Sequence, residues 1–207
     1  LYFREPESRA DQTRMMSIVT TGAETGYYVD VFRSRKEKGG DKMHDYFYHN
    51  LGQTLTLTAA DGSDLNLQPT EELAFAGAHL YAYSYLYDKK VAATNKDVKA
   101  TFTIDMKDKD GDDIYMNLWM KGEPDREVFT ALAPMTEGLS RTPNMPYNIK
   151  EQPTLTFVAR QHGEAWNRPF VSIYEPSTKK EPSAIGMMDF LLGSGKTFII
   201  RGRSQNI

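Results

Sequence analysis

The sequence predicts an all-β fold, an antiparallel two-sheet sandwich with about twelve strands and little helix. Three observations support this prediction. Short segments rich in β-branched and aromatic residues recur along the chain, turn residues such as Gly, Asn and Asp separate them, and no window keeps the helical period. At 207 residues the chain is long enough for one large sandwich, so we expect a single domain over residues 1–207.

Hairpin signals indicate antiparallel pairing. Residues 17–21 and 27–33 flank a short link bounded by glycines, and residues 98–105 and 113–120 flank an Asp/Gly-rich turn. Further strands are expected at residues 43–49, 53–58, 80–87, 128–133, 154–160, 170–174 and 197–201. The Pro-rich residues 134–153 are expected to form a long ordered loop across an end or edge of the sandwich.

Four tyrosines alternate along one of these expected strands, at Tyr81, Tyr83, Tyr85 and Tyr87. A period of two places all four rings on one face of a sheet. Such a stripe packs well between sheets, and it also suits a surface on which sugar rings stack. The sequence does not choose between these two interpretations.

The composition excludes several classes of protein. With 25 basic and 28 acidic residues the formal net charge is −3, so the chain lacks the positive field that nucleic-acid binding requires. The absence of cysteine excludes disulfides, Cys-based zinc sites and thiol catalysis. No apolar run approaches the roughly 18 residues that a membrane-spanning helix needs. The first six residues are typical of the interior of a longer chain, so we expect a fragment of a larger protein.

Two glycine-containing loops carry incomplete ligand motifs. Residues 193–197 end like a phosphate-binding loop, but Phe190 occupies the position of its first glycine and a strand, not a helix, is expected to follow. Residues 108–113 resemble a calcium loop, yet Met106 and Asn117 occupy the positions of two principal ligands. We therefore expect ordinary turns at both places, and weak calcium binding at the second remains an alternative.

The densest group of chemically active side chains lies in the expected strand at residues 43–49. Alternation places His44, Tyr46 and Tyr48 on one face and Asp45, Phe47 and His49 on the other. The backbones of Asp45 and His49 are about 13–14 Å apart at a rise near 3.4 Å per residue, too far to share a metal. Each histidine suits a structural hydrogen bond, or alternatively a saccharide contact or an acid–base role.

The two tryptophans are expected to differ in environment. Trp119 stands in an apolar strand and is expected in the core, whereas Trp166 stands in a Gly/Asn-rich segment and is the better exposed platform for a sugar ring. No Ser-His-Asp or paired-carboxylate arrangement can be identified, so no catalytic residue is assigned.

Two stretches resemble heparinase II/III-like polysaccharide lyases. The first stretch comprises Tyr28-Val29-Asp30-Val31-Phe32-Arg33, Gly39-Gly40, His44-Asp45-Tyr46 and His49. The second comprises Gln152-Pro153-Thr154-Leu155, Ala159-Arg160 and Pro169-Phe170-Val171-Ser172-Ile173-Tyr174-Glu175-Pro176. Residues 34–38 depart from the family's tighter hairpin. The resemblance spans most of the chain and implies the C-terminal β-sandwich of such an enzyme.

The resemblance implies a larger parent protein. Members of this family join an α/α toroid to an antiparallel β-sandwich and cleave acidic polysaccharides by β-elimination, in which a base removes the proton at C5 of a uronic acid. The family's catalytic residues and zinc ligands lie in motifs that this chain lacks. The implied partners are therefore an acidic polysaccharide or oligosaccharide and an upstream toroid domain. The implied location is the bacterial periplasm or the cell exterior.

The same resemblance suggests that His44, Tyr46 and His49 line a substrate cleft, to which the neighbouring basic group adds Arg33 and the aromatic platform adds Trp166. The substrate-binding candidates are Arg33, His44, Tyr46, His49 and Trp166. A local basic group that faces a polyanion would contain Arg33, Arg35, Lys36 and Lys38. No cofactor is expected in this chain, although the parent protein can hold zinc or calcium.

The sequence is compatible with two other functions. One is a stand-alone carbohydrate-binding or structural β-sandwich without a lyase parent, and the other is a chain that is itself a hydrolase or lyase. An exposed apolar face on which a toroid docks favours the lyase module. A polar surface with one aromatic groove favours the stand-alone module.

Assaying the isolated chain with acidic polysaccharides tests whether it is catalytic. We expect no unsaturated uronate product, because no acid–base set is recognisable in the sequence. The measurement is the ultraviolet absorbance of the elimination product over time. Robust product formation would show that the chain carries its own active site.

Overall fold

The computed structural model describes residues 1–74, 77–106, 111–136, 151–185, 187–192 and 198–203. Their regular secondary structure is almost entirely β-strand, which confirms the predicted all-β class. Within them no helix is both long and apolar enough to cross a membrane. Most of the loop expected at residues 134–153, the turn at 193–197 and part of the calcium-like turn at 108–113 lie outside the described residues.

Fourteen strands and one short 3₁₀ helix make up the described structure. In chain order the strands are β1 (Tyr2–Arg4), β2 (Asp11–Thr20), β3 (Gly26–Arg35), β4 (Met43–Asn50), β5 (Thr54–Ala59), β6 (Gln68–Pro69), β7 (Tyr87–Ala93), β8 (Val98–Ile104), β9 (Ile114–Met120), β10 (Arg126–Ala133), β11 (Thr154–His162), β12 (Ala165–Thr178), β13 (Met187–Leu192) and β14 (Phe198–Arg203). The 3₁₀ helix, Ala78–Tyr85, lies between β6 and β7.

Two antiparallel sheets form the sandwich. The larger sheet has seven strands in the order β1-β2-β3-β12-β9-β8-β5, and the smaller has five in the order β4-β11-β10-β7-β6. Strands β13 and β14 form a separate two-stranded ribbon. The predicted hairpins β2–β3 and β8–β9 are both present, with continuous antiparallel registers.

The main core lies between the two sheets. Its largest side chains come from both sheets, and Phe102, Phe157, Phe170, Leu118 and Met120 are each at most 1% exposed. Alternation along each strand supplies these residues, because every second side chain faces the opposite sheet. We call this side of each sheet its inner face.

The outer faces of both sheets are also covered in part. On the seven-stranded sheet, Trp119 packs with Val29, Ile173 and Ile185, so its expected burial is confirmed at 1% exposure. On the five-stranded sheet, Leu73 and Leu86 cover Phe129 and Val158. The segment around the 3₁₀ helix therefore serves as a third layer over that sheet.

The predicted tyrosine strand at residues 80–87 is wrong. Most of this segment is the 3₁₀ helix, and the strand β7 begins only at Tyr87. In a 3₁₀ helix residues three apart share a face, so Tyr83 and Leu86 both point at the outer face of the five-stranded sheet. Tyr81 and Tyr85 are 60% and 59% exposed. The period of two suggested a strand, but the apolar spacing of three decides how the segment packs.

A buried polar cluster joins the two sheets at the edge strand β4. Asp30 of β3 is fully buried, and the Arg14 guanidinium donates to its carboxylate from Nε at 3.0 Å and from Nη2 at 2.6 Å. The Tyr46 hydroxyl of β4 donates to the same carboxylate at 2.6 Å and also contacts Ser172 and Tyr174 of β12. Burial is the main cause that raises the pKa of Tyr46, so this hydroxyl stays protonated.

The seven-stranded sheet extends beyond the edge of the smaller sheet. Tyr46 places β4 over β3 and β12, and its ring centre lies 5.8 Å from the guanidinium carbon of Arg14 of β2, whereas the inner-face side chains of β2 beyond Arg14 are exposed. Directly paired residues of β2 and β3 share a face. The inner-face side chains of this overhang are Gln12, Arg14, Met16, Ile18 and Tyr28, and we call this surface the shelf. Met16, Ile18 and Tyr28 are 60%, 69% and 40% exposed, so the far half of the shelf is apolar and open.

Replacing Asp30 with alanine tests the importance of the buried cluster. We expect Asp30→Ala to lower the free energy of unfolding by about 2–3 kcal/mol, because Tyr46 and Arg14 lose a shared charged acceptor. Larger losses are not expected, since the Arg14 side chain is 45% exposed and can be hydrated after the change. Urea denaturation gives the value.

The matched control is Glu37→Ala. It removes a carboxylate from an exposed pair with Arg35 and should cost at most about 1 kcal/mol. Equal losses in the two variants would mean that the buried cluster contributes no more than a surface pair.

Candidate functional site

A cleft of about 500 Å³ opens where the smaller sheet ends and the larger one continues. Its floor is the inner face of β2 and β3, represented by Gln12, Phe32 and Ser34. One wall is the loop between β3 and β4, and another is the start of β4 together with Tyr83 and Arg160. The cleft therefore adjoins the polar end of the shelf.

Asp41 organises the loop between β3 and β4. Its Oδ1 accepts the backbone N–H of Lys36 at 2.5 Å and lies 2.6 Å from Nε2 of His44. Gly39 and Gly40 have φ values of 90° and 75°, a left-handed backbone that favours glycine and lets the chain reverse here. His44 is thus held by a carboxylate at the cleft wall, as expected for a structural histidine.

The opposite wall contains an ion-pair network. The Arg160 guanidinium donates to both carboxylate oxygens of Asp45 at 2.8 Å and to Oε2 of Glu72 at 3.0 Å. The Tyr83 hydroxyl donates to Asp45 at 2.8 Å. Arg160 also lies over the ring of Phe129 at 5.4 Å. The hydrogen bond that Arg160 donates to Asp45 is the main cause that raises the pKa of Arg160, and burial raises the pKa of Tyr83.

Of the substrate-binding residues expected from the sequence, His44 lines the cleft directly. Tyr46 lies beneath the same region, 4% exposed, with its hydroxyl occupied by Asp30, Ser172 and Tyr174. Its role in this structure is to join the sheets. A contact with substrate remains a prediction for His44 and requires rearrangement for Tyr46.

Arg33 and Trp166 lie away from the cleft, on the outer face of the seven-stranded sheet. Nη1 of Arg33 donates to the backbone oxygen of Trp166, and burial lowers the pKa of Arg33. Trp166 belongs to β12, not to a loop. It lies between Ala165 and Phe170, where the pairing of β12 with β3 shifts register. The guanidinium of Arg35 lies 4.2 Å from the centre of the Trp166 ring. One face of this platform is thus already covered by a cation.

His49 lies on a third surface, the outer face of the five-stranded sheet. Its Nδ1 is 2.8 Å from the Thr156 hydroxyl, and its ring stacks on Phe47 with centroids 5.9 Å apart. Although part of the ring is exposed, partial burial lowers its pKa. The five candidates are therefore distributed over three surfaces, and only His44 and Tyr46 lie near each other at the cleft.

Several residues of the cleft were not among the substrate-binding candidates from the sequence, although Tyr83 belongs to the tyrosine stripe noted there. Ser34, Lys42, Glu72, Tyr83 and Arg160 all line the cleft. The Gly39-Gly40 turn between two lysines was the available signal for the loop wall. No local pattern could reveal the wall that Asp45 and Arg160 form, because these residues meet only when β4 pairs with β11.

The described residues contain no group of three or more His, Cys, Asp or Glu side chains arranged to hold a metal ion. At the calcium-like turn, Asp112 and Asp113 form ion pairs with Lys180 and Lys179 at 3.3 Å and 2.8 Å. These lysines neutralise two carboxylates that a calcium ion would use, and residues 107–110 lie outside the described structure.

A comparison with known proteins relates the chain to polysaccharide lyases. It is 33% identical over 186 residues to an endo-acting ulvan lyase of Formosa agariphila, an alignment that covers 88% of this chain. The chain spans about a fifth of the length of this relative, since the alignment covers 21% of it. No protein-family model matches the chain. The chain is therefore related to part of a polysaccharide lyase.

Replacing Asp45 with alanine tests the ion-pair wall of the cleft. We expect Asp45→Ala to lower the free energy of unfolding by about 2–4 kcal/mol, because Arg160 is 9% exposed and keeps only Glu72 as a partner. Backbone amides of the 3₁₀ helix should exchange faster, since Tyr83 loses its acceptor. Denaturant unfolding and hydrogen exchange provide the two measurements.

The control is Glu71→Ala, a change at an exposed neighbouring acid. It should alter stability by no more than about 0.5 kcal/mol. A loss from Asp45→Ala as small as that of the control would contradict a structural role for the network.

Proposed function

We propose that this chain is the β-sandwich module of a heparinase II/III-like polysaccharide lyase. In this proposal the module supports the substrate cleft for an acidic polysaccharide and docks against an α/α toroid domain of the same polypeptide. Catalysis belongs to the rest of the polypeptide, and the protein acts in the periplasm or outside the cell. The relationship to an ulvan lyase about five times longer than the aligned segment is the observation that carries the proposal.

The apolar half of the shelf supports the docking role. Inner faces of sandwiches are normally covered by the opposite sheet, but Met16 and Ile18 face a region where the smaller sheet has ended. Contiguous exposed apolar surface of this kind commonly marks an interaction site. Met15, on the other face of β2, is 58% exposed as well. A domain that covered this strand would bury apolar side chains on both of its faces.

The position of the cleft supports the role beside a polysaccharide. The cleft and the shelf share the same sheet floor, so a domain docked over Met16 and Ile18 would lie next to the opening that Ser34 and His44 line. Two domains would then contribute opposite sides of one groove. Domain boundaries are frequent places for ligand sites in proteins.

A stand-alone carbohydrate-binding module is the second candidate. The cleft favours it, because a pocket of this size lined by charged and aromatic side chains suffices to hold a saccharide without a second domain. The two candidates differ in what covers the shelf. Only the lyase module needs a partner domain there.

Charge substitutions on the shelf test the docking role. The double variant Met16→Glu/Ile18→Glu is introduced into the natural polypeptide that contains this chain. We expect the sandwich to separate from its neighbouring domain, because two buried carboxylates would each lack a partner. Limited proteolysis between domains and small-angle scattering measure the separation, and polysaccharide cleavage should fall at least about tenfold.

The matched control is Met135→Glu, at an apolar residue that is 54% exposed away from the shelf. In the isolated chain, the shelf variant should leave the melting temperature nearly unchanged, since Met16 and Ile18 are already exposed. A polypeptide without a further domain, or a shelf variant that behaves like the control, would refute the docking role.

A further inference from the structure

We infer that the cleft is a subsite for one anionic pyranose residue, whose carboxylate or sulfate binds Lys36 and Lys42 while its hydroxyls bind Ser34 and Glu72. The inference rests on the proposed role beside an acidic polysaccharide. Beyond that role, it names the residues that contact the sugar and the chemical groups that they bind. It does not depend on what covers the shelf.

The size of the cleft suits a sugar. Its volume of about 500 Å³ lies within the range of about 300–1,000 Å³ that is typical of small-molecule sites. Phe32 at its floor and Met43 at its wall supply apolar surface, and charged side chains surround them. This mixture suits a pyranose ring, which has apolar C–H faces and a polar rim.

The charges of the cleft favour an anion at the loop side. Three carboxylates line the cleft, but each already has donors: Asp41 holds His44 and the Lys36 backbone, and Asp45 and Glu72 hold Arg160. Among the described residues, the ammonium groups of Lys36 and Lys42 take part in no ion pair. Two uncommitted cations on one loop are the positive groups available to a ligand.

Ser34 provides an independent observation. Its side chain is 1% exposed and lines the cleft, and its hydroxyl has no hydrogen-bond partner in the described structure. A buried hydroxyl without a partner is unfavourable, so such groups commonly mark the place of a bound polar group. A sugar hydroxyl can both donate to and accept from Ser34.

Glu72 supplies the opposite side of the subsite. Oε2 of Glu72 accepts from Arg160, while the side chain remains 48% exposed. A carboxylate fixed in this way can accept hydrogen bonds from sugar hydroxyls through its other oxygen. The loop lysines and Glu72 together orient the sugar, with its anionic group toward the loop.

Titrations of the ¹⁵N-labelled chain test the subsite. The probes are glucuronate, glucose 6-sulfate and neutral glucose, and the readout is the change in amide chemical shifts. We expect both anions to shift the amides of Ser34, Gly39 and Gly40, and to bind at least about tenfold more tightly than glucose. If only one anion shifts these amides, the inference holds for that anion and fails for the other.

Two variants assign the roles of the side chains. Lys36→Ala/Lys42→Ala should weaken binding of the anions at least about tenfold without affecting glucose. The control, Lys90→Ala/Lys96→Ala, removes the same charge at exposed lysines that do not line the cleft, and should change affinity by less than about twofold. Equal losses in both variants would mean that net charge, not the cleft, attracts the anion.

Ser34→Ala separates binding from folding. Removing a hydroxyl that lacks a partner should leave the melting temperature unchanged or raise it, while affinity for all three sugars should fall severalfold. Unchanged affinity would show that Ser34 does not contact the sugar. No shift in the cleft amides with any probe would overturn the subsite while leaving the docking role intact. Failure of the shelf variant to separate domains would leave the subsite intact.

Discussion

The hydrogen bond from Tyr46 to the buried carboxylate of Asp30 determines where the two sheets meet. It ties the edge strand of the smaller sheet to the third strand of the larger one, and Arg14 neutralises the charge from the open side. Because the smaller sheet ends at this contact, the first two strands of the larger sheet extend past it. Both the shelf and the cleft are consequences of that ending. A polar contact in the interior thus sets the shape of the surface.

The sequence predicted the sandwich well wherever the alternation of apolar and polar residues and the positions of turn residues indicate the same strands. The hairpin of β2 and β3 and the two faces of β4 follow from local pattern alone, and Trp119 is buried as its apolar strand implies. The segment at residues 80–87 failed because alternating tyrosines and a Leu80–Tyr83–Leu86 spacing of three coexist in it. Packing of Tyr83 and Leu86 against the smaller sheet stabilises the 3₁₀ helix instead of a strand. Strands as short as β1 and β6 carry too few residues to show a period.

The site was less predictable, for reasons of geometry. His44 and His49 were identified from one local cluster, Arg33 from its basic neighbours and Trp166 as an aromatic platform, and of these only His44 lies at the cleft. Strand parity already separates His44 from His49, since an odd difference in position puts them on opposite faces. The partners of Arg160 are 88 and 115 residues away in sequence. The pairing of β4 with β11 brings Asp45 to Arg160, and Glu72 reaches it from the segment between β6 and the 3₁₀ helix.

The exposed side chains of β2 affect how the isolated chain behaves in solution. Met15 on the strand's outer face and Met16 and Ile18 on its inner face are 58%, 60% and 69% exposed. Apolar side chains that are exposed on both faces of one strand favour association with another surface. The resistance of the isolated chain to aggregation, as distinct from its folding stability, therefore depends on whether these side chains are covered.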